Sequence, residues 1–108
     1  MWVGSLEMDL LLGDVHSLKE KRSVVRPLVA ELKRYGVSAA EAGHLDLHRR
    51  SLVGVAVVAA DAAHCREVLE TCERLVAARP ELEVLSARRR LHGPDDDEDQ
   101  DQDQDDRS

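Results

Sequence analysis

Along residues 2–12, WVGSLEMDLLL, the side chains of Trp2, Leu6, Met8, Leu10 and Leu12 fall on one face and those of Ser5, Glu7 and Asp9 on the other. A period of two predicts a strand with one dry and one wet face. Over residues 17–35 the period lengthens to that of a helix, with Leu18, Val25, Val29 and Leu32 in one apolar stripe and Val24 and Leu28 at its edge. Ser17 and Glu20 have the S-x-x-E spacing of a capping box, and Gly36 marks the far end. Pro27 lies inside this helix, where the lost N–H and the ring clash predict a kink or weakened first two turns. Residues 37–43, VSAAEAG, read as a weak strand of small residues, and 43–50 as a polar connection. SLVGVAVVAA, at 51–60, is apolar on both faces, which marks a central strand. Asp61 caps a second helix over 62–78, in which Cys65, Val68, Leu69, Cys72, Leu75 and Val76 share a face. Pro80 breaks it, and LEVLSARRRL, 82–91, is the last strand.

The order β-α-β-β-α-β predicts an α+β, ferredoxin-like fold: a four-stranded antiparallel sheet with two helices on one face. The first and third strands are the apolar ones and belong in the middle. The last strand then neighbours the first, where the Arg88–Arg90 run is expected to meet Glu7 and Asp9. The second sheet face remains open. With Val53, Val55 and Val57 turned to the helices, Leu52, Gly54, Ala56 and Val58 lie on that open face, small apolar residues suited to sheet-to-sheet association.

Charge divides the 108 residues in two. Residues 1–93 hold 14 Lys and Arg against 13 Asp and Glu, whereas 94–108, PDDDEDQDQDQDDRS, hold one Arg against nine acids. The overall net charge of −7 therefore belongs to the tail, not the fold. A segment with no apolar residue to bury and strong self-repulsion is predicted to be disordered, which bounds one domain at 1–93. Cys65 and Cys72 lie seven residues apart on a helix, about 10 Å, too far for a disulfide, and this points to a reducing cytoplasm. Strand begins at Trp2, so no signal peptide is expected, and the apolar run at 52–60 is too short to cross a bilayer.

The segment HSLKEKRSVVRP, 16–27, breaks a local rule. Lys19, Lys21 and Arg22 stand at a helix N-terminus, where the peptide dipoles are already positive and each cation costs a few tenths of a kcal/mol, up to about 1. At 100° per residue Lys19, Arg22, Arg26 and Lys33 fall within about 60° of arc, a basic stripe beside the apolar one, with Lys21 near the centre of the buried side. Ser17, Lys19, Lys21, Arg22, Arg26 and Lys33 are thus the candidate polyanion-binding residues, the helix start and its cations meeting phosphates. Arg49, Arg50, Arg88, Arg89 and Arg90 form a second basic set. With only Trp2 and Tyr35 as aromatics, stacking on single-stranded bases is not expected.

Enzymatic readings find no support. The loop LLGDVHS has neither the arginine of an acylphosphatase phosphate loop nor the C-x-x-C of a metal carrier. His16, His44, His48, His64 and His92 show no zinc spacing, so no metal or cofactor is expected, and no small-molecule substrate is evident.

The runs 1–34, 54–64 and VLSARRRL, 84–91, resemble the YlxP-like family of small bacterial proteins of unknown function, with the likeness spanning residues 1–91. That resemblance implies a ferredoxin-like fold. Family members are commonly encoded beside translation-initiation and ribosome-maturation genes, which implies a role near the ribosome; no catalytic residue is established to carry over. Relatives often have an aromatic residue near position 48, where this chain has His48, and the acidic tail is not shared. The expectation is a non-enzymatic cytoplasmic binding protein that meets ribosomal RNA or ribosomal particles through its first helix. The alternative is a homodimeric interaction module using the open sheet face, without nucleic-acid binding.

Overall fold

The computed structural model describes residues 1–94. The predicted acidic tail falls outside them from residue 95 onward. The elements follow the predicted order: β1 (Trp2–Leu12), α1 (Leu18–Lys33), β2 (Ser38–Gly43), β3 (Arg50–Ala59), α2 (Ala62–Ala77) and β4 (Leu82–His92). All neighbouring strands pair antiparallel in the order β2-β3-β1-β4, the ferredoxin-like arrangement.

Alternation decides which side of the sheet is dry. Leu6, Met8, Leu10 and Leu12 of β1 and Val53, Val55 and Val57 of β3 all turn inward. They meet Val25, Leu28 and Leu32 of α1 and Cys65, Leu69, Cys72 and Val76 of α2. Each such aliphatic side chain removed from water contributes about 1.5–3 kcal/mol before entropy is counted. The buried stripe of α1 is rotated from the predicted one: Leu18 is 38% exposed, while Leu28, expected at the edge, is buried; Lys21 is buried as its position predicted. Pro27 is exposed, and α1 runs through it as one element, anchored by apolar residues on both sides.

Local chemistry sets the ends. Gly36, at φ +77°, takes the left-handed conformation that stops α1, and Asp61 Oδ1 accepts the His64 N–H to start α2. The β1–β4 register slips between Asp9 and Leu10, leaving Leu85 as the extra residue of a bulge. At the foot of β4 a Cβ on residue 93 would lie 2.6 Å from the Trp2 ring, so only glycine lets the indole lie against the chain there.

Candidate functional site

The start of α1 is built by Ser17. Its extended backbone (φ −156°, ψ 163°) brings Oγ to accept the Glu20 N–H at 3.1 Å. The Glu20 carboxylate reaches back to the His16 N–H at 2.6 Å, one residue beyond the usual capping-box partner. One acid thus stands in the first turn among the cations.

Lys21 leaves the predicted polyanion-binding set. It is 2% exposed, and its Nζ donates to the carbonyl oxygens of His44 and Leu47, both at 2.7 Å, and pairs with Glu41 Oε2 at 2.7 Å. An ammonium has three N–H donors, and all three are taken. Ser51 Oγ, fully buried on β3, donates to the same Glu41 oxygen at 2.9 Å. A cation at the centre of the dry side therefore binds its own chain, stapling the 44–49 loop and β2 to α1. Glu41 and Ser51 were not legible as its partners, although a serine in an otherwise apolar strand and a lysine on a buried stripe each signal a polar group that needs one.

Lys19, Arg22, Arg26 and Lys33 are all exposed, and among the described residues none makes an ion pair. Arg22, Arg26 and Lys33 border a groove of about 400 Å³ floored by Val25, Val29 and Ala30, with Glu41 of β2 on its far wall. Lys19 stands outside it, toward the helix start. The structure thus brings three of the predicted cations to one groove along α1 and β2.

The second basic set does not form one surface. Arg50 grips both oxygens of Asp9 (2.7 Å each from Nη2), His44 Nε2 stands 3.4 Å from the same carboxylate, and Arg49 Nε donates to the Leu12 carbonyl at 3.2 Å. The Arg50 hydrogen bonds, opposed by desolvation and aided by the charges of Arg50 and His44, hold the Asp9 carboxyl below its ordinary 3.8. Arg89 turns to the helix side and pairs with Glu73 (2.8 Å) and Glu70 (3.8 Å) of α2. The expected pairing of the arginine run with Glu7 and Asp9 is corrected accordingly. Alternation separates Arg89 from its neighbours, and Asp9 is already held from β3. Arg88 and Arg90 stand on the open face opposite Glu7 and Ser5, with no ion pair to them among the described residues.

On that face two cross-strand rows read Ala40–Gly54–Glu7–Arg88 and Ser38–Ala56–Ser5–Arg90. A shallow depression of about 620 Å³ is lined there by Ser5, Glu7, Ala40, Ala42, Gly54 and Ala56, with Lys33 of α1 also bordering it, while Leu52 is half-buried and Val58 is 63% exposed. Trp2 packs against the core, and Tyr35 lies just past the end of α1.

Cys65 and Cys72 are free and buried, and burial pushes the Cys72 thiol up. Among the described residues no three His, Cys, Asp or Glu side chains converge to hold a metal ion, and no helix is long and apolar enough to cross a membrane. A family model described as "Protein of unknown function (DUF503)" matches residues 3–89. The chain is also similar to the uncharacterized protein YlxP of Bacillus subtilis (strain 168), 28% identical over 82 residues, which are 75% of this chain and 89% of that protein.

Proposed function

The chain belongs to the DUF503 family of proteins of unknown function, and within it we propose a non-enzymatic, cytoplasmic binding protein that docks α1 on the phosphate backbone of structured RNA in ribosomal particles. The observation that carries this reading is the flank of α1. Lys19, Arg22, Arg26 and Lys33 stay exposed and without an acidic partner, whereas Lys21, Arg50 and Arg89 are each tied to a carboxylate. Cations spaced along one helix flank and its groove match a row of phosphates, which they bind by releasing condensed counterions. The absence of aromatic side chains from the open face favours contact with backbone over base stacking. The setting near the ribosome rests on the family resemblance.

Co-sedimentation of the protein with ribosomal particles across a salt series tests the reading, beside a variant with Lys19, Arg22, Arg26 and Lys33 changed to Glu. The expected result is association with one subunit that weakens by a log–log slope of roughly 0.7–0.9 per phosphate contact. The folded variant is expected to lose it. Absence of association at low salt overturns the proposal.

A further inference from the structure

The two edges of the sheet are not alike. β4 carries Arg88, Arg89 and Arg90 and the Leu85 bulge, charges and a kink of the kind that keep other strands from pairing with an edge. β2 has no lysine, arginine or proline over Ser38–Gly43, and its one irregularity lies at its C-terminal end, between Glu41 and Gly43. Its main chain pairs with β3 alone among the described residues, so every second residue turns its N–H and C=O away from the sheet. Beside that edge runs the α1 groove, with Val25, Val29 and Ala30 as its floor and Arg22, Arg26 and Lys33 along its rim. Phosphates use neither an apolar floor nor a strand edge, whereas an extended peptide uses both. We infer that an acidic peptide segment adds to β2 as a fifth strand and fills the groove beneath α1.

Charge selects the occupant. The rim cations are exposed and without ion pairs among the described residues, and the one acid of the groove, Glu41, is already held by Lys21 and Ser51. The same cations bar a second copy, because joining two β2 edges about a two-fold axis sets the α1 flanks of both copies side by side, like charge toward like. On an added strand alternate side chains turn to the helix side, about 6.6 Å apart. At 1.5 Å per residue Arg22 and Lys33 lie about 16 Å apart along α1, with Val25 and Val29 between them. The spacings match when an acid, an apolar residue and a second acid stand at positions i, i+2 and i+4, about 13 Å from end to end. The apolar residue then lies over Val25 and Val29, and the acids meet Arg22 or Arg26 at one end and Lys33 at the other. This occupant shares its cations with the RNA-binding reading, does not rest on it, and excludes RNA from the groove while bound.

The test is the fluorescence anisotropy of a labelled, end-blocked peptide, Ser-Glu-Thr-Val-Thr-Glu-Ser, titrated with the full chain at low salt. Saturable binding is expected, and Arg26→Glu, a change at an exposed position, is expected to weaken it by about tenfold or more. Two further peptides carry N-methyl groups either on the Glu and Val residues or on the two Thr residues. An added strand turns the N–H groups of only one of these sets toward β2. Binding is therefore expected to fall by about tenfold or more for one methylated peptide and to persist for the other. Equal loss or equal retention in the two, binding indifferent to Arg26→Glu, or no saturable binding of the parent peptide overturns the inference. No RNA enters these titrations, so their failure leaves the co-sedimentation result standing, and failure of that association leaves them unchanged.

Discussion

Lys21 shows how one residue of a basic cluster can have a purely internal role. A surface lysine trades its ammonium among waters, but this one has exchanged them for two loop carbonyls and a carboxylate, in a place where an unmet donor or acceptor is costly. Lys21→Met keeps the apolar stem and removes the head, leaving Glu41 without its cation and two carbonyls without a donor. Urea unfolding should show a loss of about 3 kcal/mol; a loss below about 1 would mean that water replaces the ammonium. Sequence patterning correctly turned Lys21 toward the interior. It could not supply its partners, because His44 and Leu47 lie 23 and 26 residues along the chain and meet it only once β2 and β3 are paired.

Among the elements, the strands and helices followed from local rules: alternation in β1, apolar continuity in β3, and side-chain caps at Ser17 and Asp61. What escaped those rules depends on register. Arg88, Arg89 and Arg90 are indistinguishable as a run, yet a period of two sends the middle one to the acids of α2 and the outer two to the open face. The Leu85 bulge, invisible as a pattern, then sets which residues of β4 stand opposite Asp9. The Asp9–Arg50 pair joins β1 to β3 at the end of the sheet nearest the 44–49 loop, and it gives that junction a pH dependence. Because the folded carboxyl titrates below its ordinary 3.8, its contribution is complete above the unfolded value and is lost as pH falls through the folded one. Relative to Asp9→Asn, the parent is therefore expected to be more stable by about 1 kcal/mol at neutral pH, the scale of a half-exposed pair. That advantage should shrink below about pH 4 in unfolding curves taken down to about pH 2. A difference independent of pH would assign the effect to packing.

At the scale of the whole molecule the balance of charge is lopsided. Residues 1–94 carry a net +1, while 95–108 carry −8, so long-range repulsion of an RNA comes from a segment that contributes nothing to the predicted binding surface. Ending the chain after Pro94 should tighten salt-sensitive association with ribosomal particles. The gain should fade as ionic strength shortens the reach of charge to about 8 Å near physiological salt. Equal binding of the two forms at low salt would make the tail a bystander.

The contact of Trp2 with Gly93 has an optical consequence. Trp2 is the only tryptophan in the chain, and it packs at the sheet end where β1 begins, β4 finishes and the acidic segment departs. Its emission therefore comes from a single place that records both ends of the fold at once. A red shift reports the parting of the outermost strand from its neighbour, whether or not the helices have yet let go. The protein thus carries its own fluorophore at the seam between its first and last strands.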